Sequence, residues 1–137
     1  MKANKSQIGI EYLIIVGLVT FVVMSLMLIA FFYSNASRDN MKINQANGFA
    51  MKIIAASEST FYSGEPSKAT ITTYLPDGVK SVEILENSVV LTIETYSGIT
   101  RSSFKSKVPI EGSLSSTAGI KKVKIQANQK GITITDA

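Results

Sequence analysis

The chain contains no cysteine and no histidine. The first absence excludes a disulfide framework and any thiolate metal site. The second removes the commonest general base and the commonest metal ligand. Proline is scarce as well: its three residues all lie at or beyond Pro66, so nothing of that kind interrupts a helix in the first half. At 137 residues there is room for one membrane helix and one small domain. The formal charge is +4, and Lys2 and Lys5, ahead of all other features, supply half of it. A basic balance so weak does not point to a nucleic-acid partner.

What is present is concentrated at the amino terminus. From Tyr12 to Tyr33 the sequence YLIIVGLVTFVVMSLMLIAFFY carries no charge. A helix of about 20 residues, at 1.5 Å each, crosses the hydrocarbon of a bilayer, and this run is long enough. A lone carboxylate, Glu11, stands where the run begins. Ionisable groups at such places are costly and commonly functional.

Three readings of this terminus differ in what happens to it. The plainest is a signal anchor, with Lys2 and Lys5 holding the short end in the cytoplasm and everything after about Ser34 outside. A secretory signal peptide, cut after Ala36 in Ser34-Asn35-Ala36, is a second reading. The run exceeds the 7–15 residues, roughly, of the usual apolar region of such peptides.

The third reading uses the residues around Glu11. The stretch Gln7-Ile8-Gly9-Ile10-Glu11-Tyr12-Leu13, behind a short basic leader and flush against the apolar run, resembles the amino terminus of archaeal type IV pilins with a class III signal peptide. In that family a membrane-embedded prepilin peptidase cuts before the Gln of Gln-x-Ser-x-Glu and leaves the helix on the mature protein. The resemblance implies a leader at residues 1–6, processing between Ser6 and Gln7, and assembly through Gln7, Glu11 and Tyr12. Gly9 stands where the family often has Ser, and Ser6 where the residue before the cut is often Gly. The implied partners are other pilin subunits, the peptidase, a pilus assembly platform with its ATPase, and the membrane before assembly. No cofactor and no specific nucleic acid are implied.

Beyond Tyr33 helical periodicity continues. Ile43, Ala46, Ala50, Ile53 and Ala56 or Ser57 recur at spacings of three and four, which marks one face of an amphipathic helix. Lys42, Asn44, Gln45 and Lys52 fill much of the other face. The expectation is a nearly continuous helix over residues 7–60, with 7–33 as membrane span or filament core and 34–60 as stalk. Asn35-Ala36-Ser37 is a glycosylation sequon, which makes Asn35 a candidate modification site.

After Tyr62 the texture becomes period-two alternation broken by turn residues. Strands are expected at Ala69–Leu75, Val79–Leu85, Val89–Tyr96, Thr100–Val108, Ile120–Ala127 and Ile132–Thr135. Pro76-Asp77-Gly78 is the strongest turn signal. The expected fold class is therefore α+β: a long hydrophobic helix followed by a small antiparallel β-sandwich or barrel-like head over 61–137.

The head offers little chemistry. Glu58, Glu65, Asp77, Glu83, Glu86, Glu94 and Glu111 show no ligand spacing, and no Lys partner is marked for any of the many Ser and Thr residues. No catalytic, cofactor-binding or metal-binding residue is assigned. Lys121, Lys122, Lys124 and Lys130 form a basic patch, read as a solvated, aggregation-resisting edge strand in preference to an anion-binding surface.

Overall fold

The computed structural model describes residues 4–137, with side chains from Ile8 onward. One helix, α1 (Asn4–Tyr62), is followed by β1 (Lys68–Leu75), β2 (Val79–Leu85), β3 (Ser88–Thr95), β4 (Gly98–Lys105), β5 (Ile110–Ser113), β6 (Gly119–Asn128) and β7 (Gly131–Asp136). The chain is thus α+β, a long apolar amino-terminal helix with two small sheets after it. Contacts divide it into two compact units, Met1–Ser37 and Arg38–Ala137.

The described residues of the first unit, from Asn4 on, are all helical. Within the helix its backbone groups bond to one another, and two of its hydroxyls bond to them as well. Thr20 donates to the Val16 carbonyl at 2.7 Å and Ser25 to that of Phe21 at 2.8 Å. Both bonds run to the residue four positions back, so neither hydroxyl needs a partner outside the helix.

The second unit is built on the rest of α1 and both sheets. Ala46, Phe49, Ala50 and Ile53 of the helix are buried with Val89, Leu91 and Ile93 of β3, Val123 and Ile125 of β6, and Ile132 and Ile134 of β7. The helix stops where the sequence provides for it. Ser63 and Gly64 close the last turn on Ser59 and Phe61, Gly64 has φ +78°, and Pro66 follows after a cis Glu65–Pro66 bond.

The three-stranded sheet runs β2-β3-β4, with antiparallel neighbours throughout. Its first hairpin turns through Glu86 and Asn87, both at positive φ, between the paired Leu85 and Ser88. This is the primed two-residue turn whose twist suits a hairpin. The four-stranded sheet has the order β1-β6-β7-β5.

Two expectations need correction there. The strand expected over Thr100–Val108 ends at Lys105, and a strand, β5, occupies Ile110–Ser113 where a turn was expected to begin at Gly112. Moreover β5 pairs with β7 in parallel, so this sheet is mixed and not antiparallel. The reason is local. Pro109 has no N–H to continue a ladder, while Asn87 takes the Ser106 N–H on its carbonyl (2.8 Å) and the Ile110 N–H on its side-chain oxygen (3.3 Å). The chain is turned at that point and released on the far side of β7. Gly112, at φ +138°, then passes so close that a Cβ would collide with the Ile134 carbonyl.

Candidate functional site

The residues singled out at the amino terminus fall on α1, in the first unit. Met1–Ala3 and the side chains of Asn4–Gln7 lie outside the described residues, and with them the leader and the Ser6 and Gln7 side chains. Glu11 and Tyr12 are exposed, Tyr12 at 70 %. Positions 7 and 11 are one turn apart on α1 and so share a face. Among the described residues, no hydrogen bond or ion pair involves the Glu11 side chain.

The surface that follows is uniform. From Ile8 to Tyr33 every large apolar side chain is exposed. In the most apolar 18-residue window the mean hydropathy is 2.9 and none of it is buried. A helix this long and apolar is compatible with membrane insertion. Asn35 is half-buried on the same helix.

In the second unit, polar side chains of α1 clasp the sheets at four levels. Asp39 accepts the Tyr96 N–H at 3.0 Å, the Ser97 N–H at 3.2 Å and the Ser97 hydroxyl at 3.1 Å, so both residues of the β3–β4 loop are tied to one carboxylate. The bond from Tyr96, above all, holds the Asp39 carboxyl below the usual carboxylate range; its partial burial opposes this, and the Ser97 bonds and Lys42 act with it. Lys42 pairs with Asp77 in the β1–β2 turn at 2.9 Å and lowers that carboxyl in turn. Lys52 donates to the Thr72 carbonyl at 2.7 Å. Glu58 accepts the Lys107 N–H at 3.0 Å.

None of these four was read from the sequence as a contact. A signal was available for Asp39, which lies two helical turns before Ala46 and hence in line with the apolar face. A carboxylate in such a line has to find donors.

Two further carboxylates are held in exposed ion pairs. Glu94 pairs with Lys80 at 2.6 Å and Glu83 with Arg101 at 3.6 Å, all four partners well exposed. Among the described residues no group of three His, Cys, Asp or Glu side chains is placed to hold a metal ion.

The basic patch does not form one surface. Lys122 and Lys124 alternate outward with the buried Val123 and Ile125, and Lys130 lies in the β6–β7 turn. The strand that carries them is interior, flanked by β1 and β7, which corrects the reading of it as an edge. Lys121 is separate. Its ammonium donates to the Ser115 hydroxyl and lies 3.8 Å from Asp136, whose carboxylate also accepts the Ser115 N–H at 2.8 Å. An ammonium donates hydrogen bonds and accepts none, so this cluster ties the β5–β6 loop to β7.

A scan of protein-family models gives no match, and neither a curated protein nor a solved structure matches the chain. The arrangement with the clearest physical demand among the described residues is therefore the apolar helix with Glu11 at its margin, whose large apolar side chains are exposed.

Proposed function

We propose that this chain is a structural subunit of an archaeal type IV pilus-like cell-surface filament. The precursor is inserted with its amino terminus in the cytoplasm, cut by a prepilin peptidase between Ser6 and Gln7, and assembled through its hydrophobic helix. The mature subunit resides in the extracellular filament. The observation that carries this reading is the full exposure of the apolar side chains from Ile8 to Tyr33, directly after a Gln7…Glu11 motif.

Such a surface is served first by lipid and then by like helices in a fibre core. The exchange needs no enzyme site in the subunit. Helix packing in either setting comes from van der Waals contact and the few polar groups available. Glu11 supplies the register. A carboxylate at mid-span costs about 2.5–3.5 kcal/mol, while the helix dipole returns only roughly 0.3–1 kcal/mol near an amino terminus. Pairing with the free α-amine of Gln7 on a neighbouring subunit offsets the remainder and fixes the axial step between helices.

The test compares wild type with Glu11→Gln and Glu11→Ala in cells. Expected are processed subunits that accumulate in the membrane and are absent from sheared filaments. Variants that are processed and assemble normally would remove the pairing role. A wild-type protein that stays a monomer in the membrane would instead point to a tethered surface domain that does not polymerise.

A further inference from the structure

The second unit has two distinguishable ends. At one, Asp39 holds the Tyr96–Ser97 loop and Lys42 holds the Asp77 turn. At the other, Glu58 holds Lys107, close to the Asn87 hairpin. Between Asp39 and Glu58 the helix rises about 28 Å. The strands and the β3–β4 loop expose five large apolar side chains, and they are unevenly shared. Tyr96 (75 %) and Ile99 (71 %) stand at the loop on Asp39, while Tyr74 and Ile120, opposite one another across β1 and β6, lie beside the Asp77 turn. Only Leu85 belongs to the far end, where α1 also finishes with Phe61 and Tyr62.

Chain reach says what lies near the first end. Only Ser34–Arg38 separates Tyr33 from Asp39, so even fully extended this stretch spans no more than about 20 Å between the apolar run and the residue that holds the loop. Tyr is a residue of the membrane interface, with an apolar ring and a polar tip. Arg38, exposed and within the same short stretch, complements the phosphates of a bilayer surface.

We infer that the Tyr96–Ser97 end of the head is a lipid-contacting surface, with Tyr96 and Ile99 seated in the headgroup layer of the bilayer that holds the helix and Asp39 as the positioning residue. The inference rests on the membrane-inserted precursor proposed above. It gives the precursor a second attachment, one that must be released when the subunit leaves the membrane. The loop is suited to the role because its two N–H groups are already bonded to Asp39 and carry no demand into the interface.

The chain has no tryptophan, so single Trp variants report cleanly. Full-length protein carrying Tyr96→Trp, Leu85→Trp or Tyr33→Trp is reconstituted in phosphatidylcholine–phosphatidylglycerol vesicles whose acyl chains are brominated near the headgroup. Expected are a blue-shifted emission and its loss to bromine for Tyr96→Trp, none for Leu85→Trp, and loss for Tyr33→Trp. Quenching of Tyr33→Trp without Tyr96→Trp overturns the inference and leaves the span intact. No quenching of Tyr33→Trp overturns both. A blue shift of Tyr96→Trp that bromine leaves unchanged, and that varies with the protein-to-lipid ratio, assigns the surface to a second copy and overturns it too. Adding Asp39→Ala, or the milder Asp39→Asn, lowers the quenching of Tyr96→Trp and spares that of Tyr33→Trp; unchanged quenching removes the role given to Asp39.

Discussion

Two stretches of one helix behave in opposite ways. Residues 12–33 carry no charge and their large apolar side chains are all exposed, whereas over 46–60 Ala46, Phe49, Ala50 and Ile53 form one buried apolar face. The second stretch carries its own partner in the same chain: Phe49 and Ile53 meet the inner faces of two sheets. The first has none among the described residues. Both are helical, so what differs is where the buried surface comes from. A one-sided pattern announces a partner supplied by the fold, and an all-round pattern announces one supplied from outside.

The comparison breaks most sharply at Phe49. Phe49→Ala should destabilise the second unit by about 3–5 kcal/mol, the usual cost of removing a buried aromatic, while leaving membrane partitioning of the chain unchanged; denaturant unfolding and flotation with vesicles measure the two. Leu18→Arg should do the reverse. It should cost insertion about 2.5–3.5 kcal/mol, shift the chain out of the membrane fraction, and leave the unfolding of the head alone.

Acid sharpens the boundary between the stretches, which Asp39 marks. Its folded carboxyl is held below the ordinary value of 3.8, chiefly by the Tyr96 N–H. A group lowered on folding contributes stability fully above its unfolded value, and loses it as the pH falls through the folded one. The melting temperature of the head should thus hold steady from neutral pH to about pH 4 and drop below it. Asp39→Asn should lower the neutral plateau and shallow that acid drop, which thermal melts at a series of pH values would record. The smallest effect belongs to Lys80→Ala. Its ion pair with Glu94 is exposed at both ends, and such pairs contribute about 0.2–1 kcal/mol, with a visible salt dependence in the same melts.

These contrasts also explain what was legible in the sequence. The helix, and β1, β2, β3, β6 and β7, could be read because a period of 3.6 or 2 is a local property of the chain. The end of β4 at Lys105 and the strand Ile110–Ser113 were not, since both depend on Asn87, some twenty residues earlier, taking the Ser106 and Ile110 N–H groups. Parallel pairing of β5 with β7 is likewise a long-range choice, permitted by Gly112 but not announced by it. Phe49 was left off the buried face although it falls in line with Ala46 and Ile53. At the candidate site, Glu11 and the apolar run were plain from composition and order. Asp39 went unread because its donors, the Tyr96 and Ser97 N–H groups, lie 57 and 58 positions away.

The proposed function makes the apolar stretch an assembly element, readied by cleavage before Gln7. The most direct measurement is the amino terminus of the protein recovered from cell-surface shear fractions, determined by mass spectrometry. The account predicts a mature chain that begins at Gln7 and keeps its apolar helix. An intact Met1, or a chain that begins after Ala36 with the helix removed, would contradict it.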